Sequence, residues 1–142
     1  INPGEGRIMM KTMLKCKIHR ATVTDAVLHY EGSVTIDKTL MDAAGLVEYE
    51  QVHIWNVDNG NRFTTYVIDG EADSGVICLN GAAARQVSKG DLVIIAAFSA
   101  YDEKELAHFQ PSLVYVDGKN RITSVKRKVE SESRRPRVAA AV

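Results

Sequence analysis

Two extended runs, Gln51 to Val57 and Arg62 to Ile68, flank the tetrapeptide Asp58-Asn59-Gly60-Asn61, and this arrangement constrains the chain more than any other feature in it. Asn-Gly is the strongest short hairpin signal because both central residues tolerate positive φ, so the second run folds back antiparallel on the first. Within the first run Val52, Ile54 and Asn56 alternate with Gln51, His53, Trp55 and Val57, which leaves both faces partly covered, as in a barrel wall. The same pattern of short extended pieces recurs elsewhere. Thr12 to Ile18 and Ala21 to Thr24 are β-branched and alternating, with a break expected at Asp25. Val27 to Tyr30, Val34 to Ile36 and Val76 to Leu79 read as extended, and the apolar run from Asp91 to Phe98 reads as a buried central strand. Leu113 to Val116 and Ile122 to Val125 form a last hairpin around Gly118.

Helical signals are brief. Asp37 is placed to cap a helix carrying Leu40, Met41 and Ala44, and Gly45 ends it. Asn80-Gly81-Ala82-Ala83-Ala84 turns sharply into one helical turn whose free N–H groups can face an anion. Tyr101 to His108 reads as a helix started by Asp102 and stopped before Pro111. Gly70 to Gly75 is a polar loop, and no internal repeat is present. Many short strands, tight turns and few helices define a mainly β fold, a small barrel or sandwich.

Composition narrows the function classes. Lys+Arg and Asp+Glu balance at 18 each, so no net field recruits nucleic acid or an anionic membrane. Cys16 and Cys78 are too few for a disulfide framework, and each sits in an apolar run that favours a buried free thiol, which fits a cytoplasmic location. No apolar stretch of about 18 residues is present to span a bilayer. His19, His29, His53 and His108 are scattered without paired ligands, so no metal is expected; no Gly-rich phosphate loop occurs. Residues 1–9 read as a leader or an expression remnant ahead of Met9 and Met10, residues 10–126 as one catalytic domain, and residues 127–142, with Arg134-Arg135-Pro136-Arg137, as a disordered tail.

The chemistry centres on Gly32-Ser33 in Tyr30-Glu31-Gly32-Ser33. Glycine admits strained dihedrals and leaves its carbonyl open, and the Ser33 hydroxyl is one residue beyond it. Attack of that hydroxyl on the Gly32 carbonyl gives an ester through a tetrahedral oxyanion, which needs a fixed hydrogen-bond donor. Taken alone, Gly-Ser is a common turn pair. If the ester loses its carboxylate by β-elimination, the resulting dehydroalanine hydrolyses with loss of ammonia, and Ser33 becomes a pyruvoyl group. Such a ketone serves as an electron sink, the role pyridoxal phosphate plays elsewhere, so pyridoxal phosphate is not required. Arg62 has the planar fork that pairs with a carboxylate, Lys17 offers a second positive charge, and Tyr66 shares a strand face with Arg62.

Lys17-Ile18-His19-Arg20-Ala21-Thr22-Val23-Thr24, Leu28-His29-Tyr30-Glu31-Gly32-Ser33, Asp42-Ala43-Ala44-Gly45, Trp55-Asn56-Val57, Arg62-Phe63-Thr64-Thr65-Tyr66 and Asn80-Gly81-Ala82-Ala83-Ala84, in that order and spacing, closely resemble the pyruvoyl-dependent aspartate 1-decarboxylases, from about Met10 to about Val125. That resemblance implies a small six-stranded double-psi β-barrel with short helices, self-cleavage between Gly32 and Ser33, and conversion of L-aspartate to β-alanine and CO2 for pantothenate synthesis. It also implies a homotetramer with sites between subunits, and it leaves open a maturation helper protein. By the same resemblance Tyr66 is the proton donor, and Thr65, Gly81, Ala82, Ala83, Arg62 and Lys17 bind substrate. His19, Tyr30, Trp55 and Asn80 take supporting roles. Arg85 stands where the family commonly has His, and catalysis is not expected to depend on it. Thr65 points away from Tyr66 on a regular strand, so a twist, bulge or subunit boundary is expected to bring both to one site. The competing readings are a non-enzymatic β-barrel binding module and an unprocessed, inactive relative.

Overall fold

The computed structural model describes residues 7–129. The leader expectation for residues 1–6 and the tail expectation for residues 130–142 fall outside the described residues. Nine strands form one hydrogen-bonded sheet. The first, β1 (Lys11–Thr22), pairs antiparallel with β7 (Leu92–Tyr101). It runs unbroken where two pieces were expected, because Arg20 takes φ 58° and the register against β7 shifts between Ile18 and Ala21. A bulge there absorbs the irregularity without ending the strand.

After Val23 and Thr24 the chain enters β2 (Asp25–Val27), so Asp25 opens a strand instead of breaking one. The extension expected to Tyr30 is absent, and Leu28 to Tyr30 turn. The partner explains this: β2 lies parallel to β6 (Ile77–Asn80) only as far as Val27↔Asn80, where β6 ends. Next, β3 (Ser33–Asp37) pairs antiparallel with β6 and parallel with β5 (Arg62–Gly70). The expected hairpin joins β5 to β4 (Gln51–Asn56), in register from Gln51↔Tyr66 to Trp55↔Arg62, and β4 pairs on its other side with β7. Finally β8 (Ser112–Val116) lies parallel to β1 and forms a hairpin with β9 (Ile122–Lys126).

The sheet order β2-β6-β3-β5-β4-β7-β1-β8-β9 conceals a closure. Because β2 continues β1 across two residues, and Thr24 N–H donates to the Ile77 carbonyl at 2.8 Å, one stretch of chain sits at both ends of the run β6-β3-β5-β4-β7. Counting β1 and β2 as one bent strand gives six strands that close on themselves, with β8 and β9 appended. Closure removes the free edges that an open sheet exposes. Parallel pairing of β2 with β6 and of β3 with β5, with the chain crossing between them, gives a double-psi β-barrel in place of a plain meander.

Inward residues fill the barrel: Ile18, Ile36, Ile54, Ile77, Leu79, Ile95, Val34 and Val52 are fully buried, each contributing about 1.5–3 kcal/mol of transfer free energy. Helix α1 (Lys38–Ala44) buries Leu40, Met41 and Ala44 against them. Asp37 Oδ1 accepts from Thr39 N–H at 2.8 Å, as its capping role required, and Gly45 closes the helix at φ 78°. By contrast, α2 (Glu103–Leu106) is much shorter than expected, because β7 continues through Tyr101 to pair with Lys11. Its capping box, Asp102 with Glu105, is complete. Of the described residues, no helix is long and apolar enough to cross a membrane.

Candidate active site at the Gly32-Ser33 bond

Ser33 begins β3 and is 2% exposed, whereas Gly32, one residue earlier, is exposed. The bond between them therefore crosses from solvent into the barrel wall. Ser33 pairs with Asn80 at the end of β6, and the Asn80 Nδ2 group donates to Ser33 Oγ and to Thr35 Oγ1, both at 3.0 Å. Asn80 is itself buried, so its amide is held by these contacts without competition from solvent.

The turn after Asn80 is built against the same bond. Gly81 opens a 3-10 turn (Gly81–Gln86) with φ 67°. A Cβ at Gly81 would lie 2.7 Å from Gly32 Cα, Gly32 N and the Tyr30 carbonyl oxygen. Glycine is required here twice over, by the left-handed backbone and by the close approach of the two chain segments. Of the expected supporting residues, Tyr30 contributes this carbonyl while its side chain stands 68% exposed.

A cavity of about 420 Å³ opens beside Gly32 and is lined by Phe63, Thr64, Thr65, Tyr66, Ala82, Ala83 and Gln86 as well. Thr65 and Tyr66 both reach it although β5 alternates regularly and its pairing with β4 contains no register shift. No bulge brings them together; the cavity lies at an open strand edge. The parallel register of β3 and β5 begins at Val34↔Val67; stepped back, it sets Ser33 beside Tyr66 and Gly32 beside Thr65, where the chain has left the sheet. Side chains from both faces of β5 can turn around that edge. Thr64, Phe63 and Gln86 are cavity residues that the sequence reading did not single out. Alternation alone placed Thr64 with Arg62 and Tyr66, but nothing in the sequence marked the end of the 3-10 turn.

One chain does not bring the expected cations to this cavity. Arg62 is exposed, its guanidinium 5.0 Å from the centre of the Trp55 ring. Lys17 is half-buried on β1, and burial lowers its pKa. Both lie on the outer face of the sheet, where register links Lys17 to Ala96, Ala96 to His53 and His53 to Thr64. The neighbouring row joins Ile94, Trp55 and Arg62. Phe98 packs there against His53 and Trp55, with ring centres 5.2 and 6.3 Å away. His19 stacks near Tyr115 at 5.3 Å, and its buried Nδ1 has no hydrogen-bond partner. Burial first, then Lys17 and Arg20, pull the His19 pKa below 6.5. Among the described residues no group of three or more His, Cys, Asp or Glu side chains is placed to hold a metal.

The site is thus a closed double-psi barrel with a buried serine after an exposed glycine, an amide donor on the serine hydroxyl and small residues in the turn beside them. The aspartate decarboxylase family profile matches residues 9–123. The aspartate 1-decarboxylase of Dehalococcoides mccartyi is 62% identical over 121 residues, covering 85% of this chain and 98% of that protein. That of Syntrophus aciditrophicus is 62% identical over 114 residues, covering 80% and 98%. This chain belongs to the aspartate decarboxylase family. Among solved structures, a rationally designed DPBB protein aligns with 54% of this chain and 90% of its own, at 19% identity and TM-score 0.42.

Proposed function

We propose that this protein decarboxylates L-aspartate to β-alanine and CO2, acting as a carboxy-lyase in the supply of pantothenate, after cleaving itself between Gly32 and Ser33. The observation that carries the reading is the Asn80 Nδ2 donor 3.0 Å from Ser33 Oγ, beside a Gly32 that Gly81 holds in close backbone contact. Family membership over most of the chain supports the substrate.

Self-cleavage starts with Ser33 Oγ attacking the Gly32 carbonyl carbon; the C–N bond of the scissile peptide breaks as the ester forms, and the hydroxyl proton passes to the departing Ser33 nitrogen, which becomes a free amine. Asn80 holds Oγ in place and favours its anionic form as the proton leaves. Elimination then frees the Gly32 carboxylate, and hydrolysis of the dehydroalanine releases ammonia. The residues fit the product, because the cavity opens beside Gly32, the neighbour of position 33, and Ala82 and Ala83 line it with small side chains. Formed at position 33, the pyruvoyl group would supply a ketone able to condense with the substrate amine and to take up the electron pair released with CO2. Tyr66, on the cavity wall, donates a proton from Oη to the substrate carbon, and Thr65 with the Gly81–Ala83 turn positions the substrate. Arg62 and Lys17 bind carboxylates.

Those last roles call for a homotetramer, because neither Lys17 nor Arg62 lines the cavity within one chain. Phe98, Tyr66 and Tyr49 are 38%, 37% and 70% exposed, apolar surface that a neighbouring subunit would cover. We place the enzyme in the cytoplasm, with a maturation protein as an optional accelerator of cleavage. Intact-mass measurement of purified protein under denaturing conditions tests the reading. Two fragments meeting at Gly32/Ser33, the longer one lighter by one ammonia, and none from Ser33→Ala, are expected together with β-alanine formation from aspartate. A single full-length mass after prolonged warming and after addition of cell extract would overturn self-cleavage.

A further inference from the structure

The Asn80 side chain faces two hydroxyls, and a carboxamide can meet hydroxyls in either orientation. With Nδ2 toward them it donates to Ser33 Oγ and Thr35 Oγ1; turned over, Oδ1 would accept a proton from each. The difference matters for self-cleavage. In the first orientation Ser33 receives a hydrogen bond and keeps its own proton available for transfer to a base. In the second that proton is spent on Asn80, and the nucleophile is tied up as a donor.

Ser33 and Thr35 do not choose between these states, since each hydroxyl can donate or accept. The third neighbour does. Cys78 Sγ lies 3.3 Å from Asn80 Oδ1, two residues earlier on the same strand β6. A thiol is a donor in this setting, and burial, with Asp25 adding to it, raises its pKa, so it keeps its proton. Oδ1 is therefore satisfied on the Cys78 side, and both Nδ2 hydrogens are directed at Ser33 and Thr35.

We propose that Cys78 is a positioning residue for self-cleavage, its S–H fixing the Asn80 carboxamide so that Asn80 donates to, and does not accept from, the Ser33 hydroxyl. This rests on the self-cleavage reading and extends it to a residue outside the cavity. The cysteine is neither a nucleophile nor a redox group here; its contribution is one weak donor in one place.

The test follows the first-order appearance of the two fragments from freshly purified full-length precursor, for wild type, Cys78→Ala and Cys78→Ser, with the thermal midpoint of each Ser33→Ala counterpart as a measure of folding. Cys78→Ala removes the donor and is expected to slow cleavage about 3- to 10-fold with little change in midpoint. Cys78→Ser restores a donor and is expected to recover most of the rate. A Cys78→Ala precursor that cleaves at the wild-type rate overturns the proposal. Equal slowing in both variants with equal loss of thermal midpoint also overturns it, because that pattern reports packing alone. A wild-type chain that never cleaves overturns the self-cleavage reading and this inference with it, and is distinguished from the other outcomes by the wild-type lane.

Discussion

Replacing Gly81 by alanine isolates the contact that brings the 3-10 turn onto the cleavage bond. Two penalties apply. The left-handed φ of 67° costs an L-residue about 1–2 kcal/mol. The added Cβ would sit 2.7 Å from Gly32 Cα, Gly32 N and the Tyr30 carbonyl oxygen, all backbone atoms without rotamers to escape through; relieving such overpacking costs roughly 1–3 kcal/mol more. The sum is about 2–5 kcal/mol. Gly60 supplies the control: its φ is 77°, and a Cβ there meets nothing within 4 Å. Gly60→Ala therefore carries the strain alone, about 1–2 kcal/mol. Urea unfolding of both variants on the Ser33→Ala background gives the contact contribution as the difference. The same displacement must also move Gly32, and a misplacement approaching 1 Å lowers an intramolecular attack by roughly 100-fold, read as the rate of fragment formation. Gly81→Ala unfolding no more easily than Gly60→Ala, and cleaving as fast as wild type, would refute the claim that this approach positions the bond.

Tyr66→Phe should process normally yet lose about 10²–10⁴ in kcat for β-alanine formation, since it removes only the hydroxyl proposed to donate the proton. Arg62→Ala should also process, with kcat/KM for aspartate reduced roughly 10- to 150-fold, the worth of about 1.5–3 kcal/mol for a charged hydrogen-bonded partner. Asp37→Ala should destabilise by about 3 kcal/mol or more in urea unfolding, because its buried carboxylate accepts from Thr39, Asp73 and Gly75 N–H groups at 2.8, 2.9 and 2.9 Å. His19 has its pKa lowered on folding, so the unfolded chain binds the extra proton; stability should fall as pH drops below 6.5 and level once the folded-state pKa is passed. His19→Gln should flatten that part of a melting-temperature profile between pH 7 and pH 5.

The sequence was most legible where the physics is local. Asn59-Gly60 announced its hairpin, and Asp37 and Gly45 announced both ends of α1, because each acts within a few residues of itself. It was least legible where a distant partner decides. Nothing near Leu28 to Tyr30 says that β6 ends at Asn80 and leaves that segment unpaired, nor do His19 and Arg20 disclose that β1 tolerates a bulge because β7 runs beside it. The site divides the same way. Gly32-Ser33 and the small residues after Asn80 were readable as chemistry and as turn, but their contact is a matter of topology, since parallel β2 and antiparallel β3 flank β6 and deliver both to one end of it. Cys78 and Thr35 carried no signal, because an ordinary strand residue becomes part of a site only through the side chain opposite.

The two steps proposed for this site share the turn at Gly81 and differ in the charge they require. Asn80, which donates to the Ser33 hydroxyl, its own partners Thr35 and Cys78, and Gly81 against the Gly32 backbone come from β3, β6 and the turn that follows, which pair within one chain. The cations suited to a dicarboxylate lie on the outer face of β1 and β5, with Ala96 and His53 between Lys17 and Thr64. A lysine whose charged form is already disfavoured by burial in the single chain has lost part of its hydration without gaining a carboxylate in exchange. An anion arriving there relieves a cost the fold has already incurred, so Lys17 is better prepared for a carboxylate than a fully solvated lysine. In the function proposed above, the barrel wall would position the scissile bond and the outer face would supply charge for the substrate.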